Sequence, residues 1–130
     1  MTGYFDSIEQ ETLKNTYFRK VLFTGKHLQL VVMCLQGGEE IGNEVHEHVD
    51  QFFRVDEGQA KFVLNNQEEH IVGDGDAAIV PAGTWHNVIN TSSSAPLKLY
   101  TVYTPPQHED GTIQKTKAEA DAAEEAARQH

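Results

Sequence analysis

Cysteine is almost absent from this chain: Cys34 is the single one in 130 residues, so no internal disulfide can form. Its neighbours Val31, Val32, Met33 and Leu35 mark it as a small buried hydrophobe rather than a reactive thiol. Basic residues are also scarce, ten Lys and Arg against twenty Asp and Glu, for a formal charge of -10. Such a surface repels phosphate backbones and anionic lipid, and no basic cluster offsets it, so neither nucleic acid nor a membrane surface is an expected partner. No apolar run reaches the length of a membrane span, and the opening stretch MTGYFDSIEQETLKN lacks the apolar core of a signal peptide. The expectation is a protein of a reducing cytoplasm. There is no convincing internal repeat, and 130 residues suffice for one domain with a real core but not for two.

What the chain does contain is a series of short runs rich in β-branched and aromatic residues. Strands are predicted at 17–23, 28–35, 45–48, 51–55, 60–64, 70–72, 77–80, 85–90 and 97–104. Between them stand turn formers such as Gly37-Gly38, Glu57-Gly58, Asn65-Asn66 and Gly73-Asp74-Gly75. Many short strands with regularly spaced turns indicate an all-β sandwich or barrel. Ahead of them, Ser7-Ile8-Glu9-Gln10 has the form of a capping box and predicts a short helix ending near Asn15. After Pro105-Pro106 the composition changes. The segment 107–130 has no aromatics, and its alanine- and glutamate-rich part, 117–129, has helical propensity but little apolar area to bury. It reads as a loosely held acidic tail on a domain spanning 1–106.

Two motifs carry chemistry. The later one is Gly75-x5-Pro81-x-Gly83-x2-His86-x3-Asn90. Here Pro81 ends a strand and presets φ, Gly83 permits a positive-φ turn, and the following strand brings His86 inward. The earlier one is the pair His46 and His48, two residues apart, which on a strand project from the same face. Glu44 shares their parity, and it is read either as a general base in the interior or as a solvated rim carboxylate. Phe53 and Val55 share parity with Gln51 and should form an apolar wall. Tyr100 or Tyr103 could offer a hydroxyl to a ligand, with core packing as the alternative.

Together the two motifs resemble the signatures of the cupin superfamily, over residues 28–104. The second signature is matched at every position. The first runs roughly G-x5-HxH-x3,4-E-x6-G in that superfamily. With His46 and His48 as its HxH pair it shows three departures here: Gln51 stands for the glutamate, only two residues separate it from His48, and Glu40 takes the place of the leading glycine. Within the superfamily, EVHEHVDQFFRVDEG and the tail look similar to small bacterial proteins labelled mannose-6-phosphate isomerase-like. The resemblance implies a small cupin β-barrel of the double-stranded β-helix or jelly-roll type, with a short N-terminal helix and a helical tail. It implies one divalent metal ion held by His46, His48, Gln51 and His86. For Gln51 a second reading is open, as a polar residue that fixes its loop, and Asp50 competes with it. Imidazoles with a carboxamide oxygen suit Mn²⁺, Fe²⁺, Ni²⁺ or Zn²⁺, manganese first.

The function implied is a metalloenzyme acting on a small oxygen-donor substrate by dioxygenase or isomerase chemistry, with Glu44 and Tyr100 as catalytic candidates. The alternative is a non-catalytic cupin that binds or senses a small ligand. Proteins of this size and family commonly pair as homodimers, and exposed strand edges supply a physical motive.

Overall fold

The computed structural model describes residues 2–128. The first helix, α1 (Ile8–Lys14), starts where the capping pattern places it, with the Ser7 side chain accepting the Gln10 N–H. Nine strands follow among the described residues: β1 (Arg19–Thr24), β2 (Gln29–Leu35), β3 (Asp50–Glu57), β4 (Gln59–Leu64), β5 (Glu68–Gly73), β6 (Ala77–Val80), β7 (His86–Asn90), β8 (Leu97–Thr104) and β9 (Ile113–Gln114). The second helix, α2 (Lys117–Arg128), comes last.

The strands form two antiparallel sheets, one in the order β6-β3-β8-β2-β1-β9 and one in the order β5-β4-β7. Alternation decides which side chains lie between them. On β8, Leu97, Leu99, Thr101 and Tyr103 are buried while the residues between them are not. On β7, His86, Val88 and Asn90 point inward. With Val31, Met33, Leu35, Phe53, Val55 and Phe62 these strands build one continuous core. Phe53 is fully buried and meets Phe62 edge-on at 4.9 Å, so truncating it to alanine should cost about 3–5 kcal/mol. The outer face of the larger sheet is covered by α1, which packs on β8, β3 and β2. For that reason Cys34 is buried although it faces away from the barrel interior.

Two expectations need correction. Residues 45–48 form no strand: Glu44 makes an isolated bridge to His86, and Glu47 and His48 occupy a turn. The chain must reverse here to enter β3, so a strand cannot continue through His48. The segment after Pro106 is also more than a loose appendage. Through β9 it pairs with β1, Arg19 opposite Gln114 and Lys20 opposite Ile113. Thr116 and Glu119 then cap α2 reciprocally, each side chain accepting the other's backbone N–H at 3.1 Å. Ala120 joins the core at 6% exposure. The packing comes from backbone pairing and small alanine side chains, which a count of apolar area undervalues.

Candidate metal centre

The backbone itself brings the first and second motifs together. Glu44 and His86 face each other as an antiparallel pair, the Glu44 N–H donating to His86 O at 2.9 Å and the His86 N–H to Glu44 O at 2.8 Å. Residues opposed in this way send their side chains to the same face. Beyond them, the Gly83 N–H donates to His46 O at 2.9 Å, and Gly83 holds the positive φ of 81° that its turn requires. The Pro81–Gly83 turn thus anchors the loop that carries His46.

The result is a group of three side chains, Glu44, His46 and His86, whose donor atoms all lie within 4.8 Å of one another. Glu44 Oε1 is 3.3 Å from His46 Nε2 and 3.7 Å from His86 Nε2. Neither nitrogen makes a hydrogen bond among the described residues, though both are buried. The His86 tautomer follows from its surroundings. Its Nδ1 is 2.9 Å from Thr84 O, a carbonyl can only accept, and so Nδ1 carries the proton and Nε2 presents its lone pair inward. Burial pushes this imidazole below its ordinary pKa against the opposing pull of the Thr84 carbonyl and Glu44. At Glu44, burial works upward, but the His46 ring beside it, with His86 and Arg19, outweighs burial and holds the carboxyl below its usual range. A neutral imidazole and an ionised carboxylate are the forms that ligate metal. Donors about 2.0–2.2 Å from one ion lie roughly 3–4 Å from each other, as Glu44 Oε1 does from each imidazole nitrogen. With both nitrogens orphaned and buried and Glu44 Oε1 converging on them, the three atoms fit a divalent cation.

Gln51 is also inside, at 2% exposure. Its orientation can be settled by counting protons. The Thr101 hydroxyl donates to Phe52 O at 2.8 Å, so toward Gln51 it can only accept, and Gln51 Nε2 donates to it at 2.9 Å. The amide oxygen is therefore turned the other way, where it is buried and finds no partner among the described residues. Asp50, the competing candidate, is exposed and accepts the Ala82 N–H. His48 is not brought to the group; it is exposed on the turn. Tyr100 lies on the opposite face of β8 from Tyr103, its ring 6.1 Å from Phe52, away from the interior.

These positions correct the register of the first motif. Counted from Gly38, five residues lead to Glu44, one more separates it from His46, four lead to Gln51 and six to Gly58. Every spacing of the cupin pattern is then met, with Glu44 in place of the first histidine and Gln51 in place of the glutamate. Gly38 also has the positive φ, 80°, of a leading turn glycine. Aligned on the His46–His48 pair, the motif lies two residues too far along the chain. The distance between the two flanking glycines was the signal that could have placed Glu44.

Around the group, Phe53 stands edge-on to His86 at 6.3 Å and Tyr103 edge-on to His46 at 5.9 Å. Total burial raises the Tyr103 hydroxyl to about 12, and His108 Nε2 lies 3.2 Å from it. The loop bearing His108 is pinned by buried Gln29, whose amide accepts the Gln107 and His108 N–H groups and donates to His108 O. Burial lowers His108 to about 4, with Arg19 adding to the effect. Glu44 and His46 open onto a cavity of about 580 Å³ whose far wall is the Ala120, Ala123 and Ala127 face of α2. Local sequence pattern did not reveal Arg19, His108 or α2 as parts of this cavity.

Comparison with known proteins agrees with this fold. A family model described as Cupin domain matches residues 31–103. The Bacillus subtilis (strain 168) protein YrkC, named as uncharacterized, is 48% identical over 124 residues, which are 92% of this chain; the chain spans 66% of YrkC's length, just under two thirds. The crystal structure of BH2720 from Bacillus halodurans is 48% identical and superposes with a TM-score of 0.89 over 92% of this chain and 93% of that one. A Klebsiella pneumoniae protein described as having a double-stranded beta-helix domain is 21% identical, with a TM-score of 0.66 over 89% and 93% of the two chains, a likeness of fold alone. The chain belongs to the cupin family.

Proposed function

We propose that this is a metal-dependent cupin, in which Glu44, His46 and His86 hold one divalent ion and Gln51 Oε1 supplies a further oxygen, and that it acts on a small oxygen-donor compound. The observation that carries this reading is the pair of buried imidazole nitrogens with no hydrogen bond, both beside one carboxylate. Two imidazoles with carboxylate and amide oxygens suit Mn²⁺ or Fe²⁺ well, and Ni²⁺ or Zn²⁺ acceptably. We favour manganese. With Glu44 as a ligand the site keeps a net positive charge smaller than the ion's own, which still attracts an anionic or enolisable oxygen donor. When bound, the ion supplies Lewis-acid or redox chemistry. The chain's own residues hold the donors in place, and Phe53 closes one side to water.

The reaction class in this proposal is dioxygenase or isomerase. Metal analysis of protein purified without a histidine tag, followed by turnover and oxygen-uptake assays on small hydroxy acids, dicarbonyls and catechols, tests it. Full loading with turnover is the expected result, and wild-type protein that takes up no divalent metal would end the metal reading. A non-catalytic binding role is favoured by one observation. With Glu44 committed to the ion, the neighbouring Tyr103 and His108, displaced to about 12 and about 4, are poor proton shuttles near neutral pH. Metal-dependent binding of these compounds without turnover would decide for it.

Membership of the mannose-6-phosphate isomerase-like group, a bacterial origin, a cytoplasmic location and pairing as a homodimer also belong to the proposal. Relatives from two Bacillus species, each 48% identical, support the origin. Among the described residues no helix is long and apolar enough to cross a membrane. Pairing is supported by Ile71 and Ile79, exposed on the edge strands β5 and β6. Light scattering that gives the mass of one chain would remove it.

A further inference from the structure

Arg19 is a buried cation that the metal reading leaves unused. It lies on β1 at 8% exposure, in the wall of the cavity onto which Glu44 and His46 open. Nη1 donates to Gln114 Oε1 at 2.7 Å, and Phe18 lies under the guanidinium at 5.2 Å. Nε is buried with no hydrogen-bond partner, and no carboxylate lies within ion-pair distance of Arg19 among the described residues. A desolvated guanidinium with no carboxylate in contact is costly, and an anion bound against it would offset that cost. Glu44, a partly buried carboxylate lining the same cavity, is turned toward His46 and His86. Two other acidic residues of the cavity, Glu109 and Glu124, are exposed at its rim, where water screens them.

We propose that Arg19 is the anchor for a carboxylate on the ligand, so that the compound reaching the Glu44–His46–His86 group is a small hydroxy or oxo acid. This rests on the metal reading for its second contact, in which the hydroxyl or oxo oxygen of the acid meets the ion. Guanidinium and carboxylate match as a planar fork against two oxygens. Phosphate is the poorer fit, because Arg19 is the only Lys or Arg among the described residues lining the cavity, while Glu44, Glu109 and Glu124 line it too and repel a dianion more than a monoanion. The cavity of about 580 Å³ accommodates an acid of a few carbons.

The probes are glycolate, its neutral amide glycolamide, and inorganic phosphate, titrated calorimetrically into manganese-loaded protein. Glycolate should bind about tenfold or more tightly than glycolamide, as expected for a charge-assisted contact, and more tightly than phosphate. Arg19→Met should abolish the preference without changing metal content, and Arg19→Lys should keep part of it. Gln114→Ala removes the hydrogen bond between β9 and Arg19 but leaves the guanidinium, so it should keep the preference; loss there as in Arg19→Met would show that Arg19 serves only to hold β9. A preference for glycolate that survives in metal-loaded Arg19→Met overturns the proposal, and a preference for phosphate overturns the carboxylate assignment. Metal-free protein separates this inference from the metal reading. If no metal binds, yet glycolate raises the melting temperature of wild type and not of Arg19→Met, the anion site stands and the metal site falls. If metal binds and glycolate and glycolamide are equivalent, the anion site falls alone.

Discussion

Glu44 is the residue on which the centre turns, because it alone joins the two imidazoles through one oxygen. Glu44→Gln keeps the shape but removes the charge, and His86→Ala removes a nitrogen; each should lower metal content well below that of wild type. His48→Ala should bind metal as wild type does, since His48 is exposed on its turn. Elemental analysis of the three variants checks this, and a metal loss in His48→Ala equal to that in His86→Ala would contradict the assignment. Gln51→Glu should tighten binding by adding a carboxylate at a buried oxygen position, and Gln51→Leu should weaken it; equal affinities would place Gln51 outside the ligand set. Much of this site was legible. The resemblance to the cupin signatures pointed to His46, His86 and, with a second reading open, Gln51, and strand parity pointed to Phe53, all of which lie at or beside the group. In the sequence Glu44 is only a parity neighbour of His46 and His48, and nothing local marks the turn at Glu47 and His48 that removes His48 from the group. Arg19 was not legible at all: nothing in the local run Tyr17-Phe18-Arg19-Lys20 distinguishes a buried cation from a solvated one.

Among the elements, α2 and the loop before it give the sharpest expectations. Removing the reciprocal cap with Thr116→Ala and Glu119→Ala should cost about 1 kcal/mol per cap, roughly 3–6 °C if it is felt globally. Amide exchange should quicken along α2 while β2 and β8 stay protected; unchanged exchange in α2 would mean that packing, not the cap, holds the helix. Truncation after His108 is the larger perturbation, since it also removes β9 and uncovers Arg19, and it should lower the melting temperature clearly. His108 gives a pH dependence. Its folded value near 4 lies below the 6.5 of an ordinary histidine. Between those values the unfolded chain binds a proton that the folded chain refuses, so stability falls as pH falls through that window. The lowered His86 acts with the same sign. In metal-free protein the loss of melting temperature from pH 7 to pH 4.5 should be smaller for His108→Gln than for wild type, and equal losses would show that His108 is solvated. The eight strands from β1 to β8 were legible because alternation and turn residues agree. The two-residue β9 lies below any periodicity window, and the Thr116-x-x-Glu119 cap was readable but did not say what the helix would cover.

At the scale of the whole molecule, the two sheets close on an apolar core that contains none of the proposed ligands, with His86 and Gln51 the two of them that are fully buried beside it, so folding is not expected to wait on an ion. Treatment with a chelator should leave a cooperative melting transition and an unchanged circular dichroism spectrum, with the melting temperature lower only by the linkage of the lost ligand. Collapse of the β signal on chelation would instead place this protein with the small metal-dependent folds. The backbone pairing between Glu44 and His86, with the Gly83 bond to His46, has a kinetic corollary. Since the donors are tethered to one another by main-chain bonds, an incoming ion finds its coordination sphere assembled and loses only its own water. Loading should then proceed in a single second-order phase whose rate follows the water-exchange rate of the metal offered, nickel slowly and manganese quickly. The ion that occupies the centre in a cell would be decided by which aqua ions are abundant when the chain is made.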